Sequence, residues 1–420
     1  MTTKEISHNQ NKPLHIAMFP WLAYGHLMPF LQVSNFLAQK GHLTSFIPTP
    51  KNLLRLPTSL SPLINLFRVV TRLGINSVYF TIFNATTMAF LGPPSEILSG
   101  RQRPEDFTVV PKWINFFNYD VAFKLHEVVS HWECMEDEVS DFQRVAAAIE
   151  GCDFVVTRTS PVFDADSLSL VNKLYGKPVL PLDRDVAAGV TSTDHSADDE
   201  SEHGTWRNLK EWLDGKKEKS VVYIALGTEV TLSRDSMHDL ARGIEKSGLC
   251  FIWVLSRRQE AGAPDMIPVG FEKRVEDRGL VWRGWAPQLS VLAHTAVGGF
   301  LTHCGWSSVI EALGFGRALV LFSGASADQG LIARLMHGKR VGFLNKWSEA
   351  STRVGKIGRR HLLERKFHPN SSLDNLKSFS GRLPSTEDMW GPYDAGQNCQ
   401  LSKEYGLSLC LTADACMVIK

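Results

Sequence analysis

GGFLTHCGWSSVIEALGFGRALVLF, residues 298–322, decides the fold. GGFLTH and ALVLF are short apolar runs that read as buried strands. Between them Trp306, Val309, Ile310 and Leu313 recur at helical spacing, which predicts a helix over 307–314 with Ser307, Ser308 and Glu311 on another face. Strand, helix and strand in so short a span make a βαβ unit, and that favours a parallel sheet of the doubly wound kind. In such sheets ligands sit beyond the carboxyl ends of the strands, which is where THCGWSS (302–308) falls.

The residue types there suit an anion. A helix N-terminus presents free N–H groups and a partial positive charge, a natural seat for phosphate. Gly305 lets the backbone approach a ligand, His303 and Ser308 add donors, and Glu311, one turn on, can accept from a ribose diol. Taken alone, the segment reads better as capping serines and a satisfied buried histidine. Its neighbours shift the balance. WAPQ (285–288) follows the strand-like GLVWRG, so Trp285 can stack on a planar base and Gln288 can hydrogen-bond a ribose. Asp328 and Gln329 lie just past ALVLF, where a carboxylate and an amide suit the hydroxyls of a sugar. A base platform, a phosphate cradle and a hydroxyl reader at neighbouring strand ends describe a nucleotide-sugar site.

Outward from this unit, VVYIALG (221–227), CFIWVLS (250–256) and GLVWRGW (279–285) continue a second α/β series. TWRNLKEWLDG before them makes an amphipathic helix with Trp206, Leu209 and Leu213 on one side. Upstream, residues 186–205 are small, polar and acidic without periodicity, and read as a linker. Before it lies a first series: strands at 15–22, 43–50, 76–83, 153–160 and 177–182, with a helix over 28–40 that has Pro29 in its first turn and Gly41 at its end. The expected organisation is therefore a first domain over 13–185, a linker over 186–205, a second domain over 206–345 and a poorly packed tail over 346–420, where no sustained period emerges.

Composition narrows the classes. At 420 residues, two or three domains of about 150 residues each are expected. Lys and Arg total 45 against 44 Asp and Glu, a balance that argues against nucleic acid or an anionic membrane as the main partner. The seven cysteines form no CxxC pair and suggest neither a zinc site nor a disulfide framework. MTTKEISHNQNK lacks the apolar centre of a signal peptide, and no apolar run is long enough to span a bilayer. A cytoplasmic monomer is expected. A Rossmann oxidoreductase is disfavoured because no GxGxxG follows an early strand. The DRD at 183–185 sits against the linker, where solvated charge is its ordinary explanation.

Residues 285–329, WAPQLSVLAHTAVGGFLTHCGWSSVIEALGFGRALVLFSGASADQ, resemble the donor-binding signature of plant UDP-dependent glycosyltransferases of small molecules. FPWLAYGHLMPFLQVSNFLAQKGH, ATTMAFLGPP and PEDFTVVPKW resemble the branch that adds glucose or rhamnose to flavonoid or triterpenoid glycosides. The similarity covers most of 13–345 and implies the GT-B fold, two facing Rossmann-like domains. It implies a UDP-glucose or UDP-rhamnose donor bound without a metal or other cofactor, and a small glycoside as acceptor. It implies that Trp285, with Ala286 beside it, stacks on uracil and that Gln288 meets the ribose. It further implies that His303 and Ser308 hold the diphosphate, that Thr228 matches a phosphate-contacting position, that Glu311 holds the ribose diol, that Asp328 and Gln329 hold the sugar, and that Gly305, Trp306 and Ser307 belong to the same donor-binding set. Ser307 stands where most of the family has asparagine. His26 matches the family's general base.

Two departures accompany the resemblance. The family pairs its histidine base with an aspartate on a later strand, yet no Asp or Glu lies between His26 and Glu96. The first domain is read as shortened there, with Glu96 or Asp106 as weak substitutes. The tail also lacks the helices with which the family usually ends. An active glycosyltransferase and a UDP-sugar-binding protein with little turnover are both compatible with this sequence.

Overall fold

The computed structural model describes residues 14–20, 29–30, 33–34, 37–39, 41–46, 76–101, 103–117, 120–132, 141–182, 200–227, 230, 232–255, 266–322, 328–345 and 416–419. They form two α/β domains, each built on a six-stranded sheet. His26, Thr228, the DRD tripeptide and most of the linker and tail lie outside the described residues.

The second domain follows its sequence closely. Strands β6 (Val221–Ala225), β7 (Cys250–Leu255), β8 (Gly279–Arg283), β9 (Val297–Thr302), β10 (Ala318–Phe322) and β11 (Gly342–Asn345) form a sheet of order β11-β10-β9-β6-β7-β8. Every pairing is parallel. Helices cover both faces, so β9 is almost wholly buried and reads as a continuous apolar run rather than an alternation. One core packs Leu209, Leu213, Tyr223, Phe300 and Leu319; the other packs Met237, Leu240, Trp253 and Phe271.

The first domain contains β1 (His15–Phe19), β2 (Leu43–Phe46), β3 (Asn76–Thr81), β4 (Phe154–Thr157) and β5 (Val179–Pro181). Its described helices are α1 (Ala85–Leu91), α2 (Leu125–Trp132), α3 (Asp141–Gly151) and α4 (Pro161–Tyr175). Residues 29–30, 33–34 and 37–39 are helical, in the stretch expected to be so.

The sheet order is β2-β1-β12-β3-β4-β5, and β12 is Cys416–Ile419, from the far end of the chain. It pairs antiparallel with β1 on one side and with β3 on the other, Cys416 opposite both Phe19 and Tyr79. The expectation of a poorly packed tail over 346–420 is corrected at residues 416–419. A four-residue apolar segment with no detectable period is stabilised by ladder hydrogen bonds on both sides, a non-local gain that periodicity cannot register.

Between the domains, α5 (Glu200–Asp214) begins inside the expected linker, so residues 200–205 are helical. Leu209 and Leu213 bury on the second domain as its amphipathic pattern predicts. The remaining second-domain helices include α6 (Arg234–Ser247), α7 (Gln288–Ala293), α8 (Trp306–Gly314) and α9 (Gln329–Gly338). Helix α8 buries Trp306, Val309 and Ala312, while Ile310 and Leu313 are only half-buried. No helix among the described residues is long and apolar enough to cross a membrane.

Candidate functional site

Parallel strands end on a common edge, so the loops after β6, β8, β9 and β10 gather the candidate residues of the second domain. After β9 the chain turns through His303 and Cys304 into Gly305, the N-cap of α8. Cys304 takes a positive φ of 69°, a conformation that costs an ordinary L residue about 1–2 kcal/mol. Burial of its side chain and a hydrogen bond from its N–H to Thr302 Oγ1 at 3.2 Å hold it there. Such strain concentrates where a loop must aim functional groups.

His303 is the centre of the turn. A Cβ at Gly227, after β6, would fall 2.8 Å from its Cε1, and one at Gly305 would fall 2.6 Å from its Nε2. Both positions are therefore glycine because the imidazole occupies the space of a side chain. Burial drives the His303 pKa down to about 4, so the ring is neutral near pH 7 and offers an N–H rather than a charge. Its Nδ1 is buried and has no hydrogen-bond partner among the described residues.

The next turn of α8 joins the WAPQ segment. Gln288 Nε2 donates to Ser308 Oγ at 3.1 Å and to Glu311 Oε2 at 2.7 Å. Three residues from two helices, α7 and α8, thus form one polar cluster. Burial raises the Glu311 pKa, opposed by the Gln288 hydrogen bond and by the charge of Arg158. Trp285 stands beside this cluster in sequence, 50% exposed, an unusual state for so large an apolar side chain. Trp282 Nε1 donates to its backbone oxygen at 2.9 Å and fixes the loop.

Asp328 is the N-cap of α9 and Gln329 its first residue, which is buried. Asp328 is near enough to act electrostatically on the buried Cys304 thiol, so the loop after β10 adjoins the turn after β9. Loss of hydration brings the Asp328 carboxyl up to about 7. Ala286 and Trp306 bury their side chains in the apolar core, leaving their main chain as what they can present to a ligand.

Sequence reasoning passed over a residue from the other domain. Arg158 follows β4 and is 5% exposed. Its Nη1 donates to Ser307 Oγ at 2.5 Å, and its carbonyl accepts from Trp306 Nε1 at 2.5 Å. Phe163 packs on Trp306 with ring centroids 5.9 Å apart. A second bridge lies farther along: Glu127 of α2 meets Arg334 of α9 bidentately, at 2.6 and 3.2 Å. The carboxyl edges of the two sheets therefore face each other across a contact that includes the candidate site.

The family model for UDP-glucuronosyl and UDP-glucosyl transferases matches residues 138–353. UDP-glycosyltransferase 91C1 of Arabidopsis thaliana is 38% identical over 397 residues, covering 78% of this chain and 83% of the relative. The chain belongs to the UDP-glycosyltransferase family. Soyasaponin III rhamnosyltransferase of Glycine max is 30% identical, covering 79% of this glycosyltransferase and 83% of that one. Among solved structures, UGT2 of Phytolacca americana, complexed with UDP-2fluoro-glucose and pterostilbene, superposes with a TM-score of 0.70 at 18% identity. That match covers 94% of this chain and 100% of the other, and it identifies the fold as GT-B.

Proposed function

We propose that this glycosyltransferase moves a hexosyl group, glucosyl or rhamnosyl, from a UDP-sugar to a hydroxyl of a plant secondary-metabolite glycoside, with inversion. The observation that carries the reading is the joined cluster of Gln288, Ser308 and Glu311 beside His303 at the carboxyl edge of the second sheet. Two acceptors and a donor fit a ribose diol and the adjoining phosphate. Trp285 gives uracil a face to stack on. His303 and the N-terminus of α8 meet the diphosphate with N–H groups, and Thr228 adds a donor from the loop after β6. Asp328 and Gln329 read the sugar hydroxyls. In this reading the counter-charge comes from protein donors and no metal is used. The names of the relatives, which include a soyasaponin and an anthocyanidin-3-O-glucoside rhamnosyltransferase, support a glycoside acceptor. We place the reaction in the cytoplasm and assign it to a monomer.

His26 is the proposed base. It takes the proton of the acceptor hydroxyl as that oxygen bonds to the anomeric carbon; the bond from that carbon to the β-phosphate oxygen breaks, and UDP leaves from the opposite face. A second reading has specific support. No acid lies between His26 and Glu96, and β12 fills the place beside β1. Asp106 accepts from the Arg103 N–H at 2.9 Å and from its guanidinium at 3.1 Å, so it is committed to its own turn. A histidine base without a carboxylate partner loses activity heavily; in serine proteases, disabling the aspartate beside the histidine lowers kcat about 10⁴-fold. On this reading the protein binds the donor and turns over little.

Calorimetry with UDP, then product analysis with UDP-glucose and UDP-rhamnose on flavonoid and triterpenoid glycosides, separates the two. Turnover abolished by His26→Ala establishes the transferase. UDP binding without product, unchanged by that substitution, establishes the binder. Absence of UDP binding overturns both.

A further inference from the structure

We infer that Arg158, a residue of the first domain, is a diphosphate-binding residue of the donor site, so that the site is completed across the domain boundary. The inference rests on the donor reading above and adds a group to it.

Three observations carry it. Arg158 is a charged side chain at the carboxyl end of β4, nine-tenths or more buried. Its guanidinium reaches out of its own domain to Ser307 Oγ, in the first turn of α8. Its charge also acts on Glu311, which Gln288 holds through its amide. The guanidinium thus sits at the start of α8, on the Ser307 hydroxyl and within electrostatic reach of the ribose-reading cluster. A nucleoside diphosphate laid from Glu311 toward His303 passes that point. Of the groups described around the cradle, His303 is neutral near pH 7 and the serines carry no charge. Arg158 supplies the full positive charge that an anionic leaving group calls for, and guanidinium matches phosphate oxygens in planar geometry.

The placement has a consequence for the two domains. Trp306 Nε1 is bonded to the Arg158 carbonyl, so the same residue ties the domains through its backbone and meets the donor through its side chain. Substituting the side chain leaves that backbone tie in place, which makes the two roles separable.

The test uses the full chain, with UDP and uridine as probes in calorimetry at fixed ionic strength. Arg158→Gln is expected to weaken UDP about ten- to hundredfold, the range for a lost charge-assisted contact, while uridine changes less than about twofold on the same scale. Arg158→Lys is expected to recover part of the UDP affinity. Ser307→Ala, which removes the tether and not the charge, is expected to weaken UDP by a smaller factor and to leave uridine alone. Equal loss for UDP and uridine in Arg158→Gln, or no loss for either, overturns the inference, the first outcome marking a structural residue. If Arg158→Gln does not fold, the lysine and Ser307 variants decide: both binding UDP as the wild type does overturns it. A wild-type chain that binds no UDP overturns the donor reading itself, an outcome distinct from all of these.

Discussion

The two sheets differ in how they are completed. The second is assembled entirely from parallel strands within 221–345, each laid beside the one before it except β9, which returns from the β8 edge to pair with β6. The first has a strand from residues 416–419 at its centre, running against its neighbours. Each parallel pairing in the second sheet closes over a crossover contained within one continuous segment, 221–345. A centre filled from a distant segment depends on one long loop closure, whose entropic cost must be met before its ladder forms. The difference predicts that the first domain is the fragile one and that the donor edge tolerates damage to it.

Removing the chain after residue 415 is the strongest way to break that comparison. Four residue pairs on each side of β12 would be lost, leaving β1 and β3 with open edges inside the sheet. At about 0.5–1 kcal/mol net per hydrogen bond the loss comes to about 4 kcal/mol or more, much of the stability of a typical domain. Thermal unfolding followed with calorimetry should show an early or missing first-domain transition, a nearly unchanged second-domain transition, and more aggregation from the exposed edges. Two unaltered transitions would show that β12 contributes nothing.

The next effect concerns the join between the domains. Glu127 and Arg334 are 5% and 11% exposed at the side chain and bonded twice, so neither charge is well hydrated. Glu127→Ala leaves a buried guanidinium without this carboxylate, a change worth about 3–4 kcal/mol. The expected result is separation of the two unfolding transitions, with UDP affinity falling less than stability. Arg334→Met added to Glu127→Ala should return part of the loss, since removing both charges is cheaper than stranding one. Failure of the double variant to recover would assign the effect to packing.

The same contrast explains what could be read from the sequence. The strands of the second domain were legible because each is an apolar run ended by a turn; β10 is observed over the expected 318–322. The cluster at Gln288, Ser308 and Glu311 was legible because strand ends of one parallel sheet share an edge, which turns sequence position into spatial neighbourhood. No such rule connects segments across the chain. β12 is four residues without alternation, and its worth comes entirely from partners near residues 16–19 and 76–79. Arg158 left a trace, a charge at the carboxyl end of an apolar strand. Its partner Ser307 lies 149 positions away, however, and only domain apposition links them.

Within the donor edge, Gln288→Ala gives a smaller effect. It deletes the hydrogen bonds to Ser308 and Glu311 and leaves the half-buried Glu311 side chain to find water. UDP affinity should fall about tenfold, or about 1.4 kcal/mol, with first-domain unfolding unchanged. A shift in the first-domain transition would mean that the cluster also braces the domains.

The smallest expected effect separates the domains by pH. In the first, the groups with shifted equilibria among the described residues are arginines, the Cys152 thiol at about 11 and Tyr175 above its usual 10, and none of these titrates between pH 4 and 8. In the second, the folded state holds Asp328 near 7 against a usual 3.8. Folding there favours the protonated acid, so stability is greatest below about pH 4 and falls as pH rises through 7. His303 acts in the opposite sense: held neutral down to about 4 against a usual 6.5, it costs stability as pH falls between those values. The two slopes oppose each other on the acid side, and above pH 6.5 that of His303 has ended while that of Asp328 continues. Asp328→Asn removes it. The variant should match the wild type near pH 4 and exceed it at pH 8 by about 1 kcal/mol, a figure reduced for the partial solvent access of the group. The gain should appear in the second-domain transition alone. A gain at both ends of the pH range would point to ordinary repacking, and a gain in the first domain would mean that the carboxylate acts across the interface.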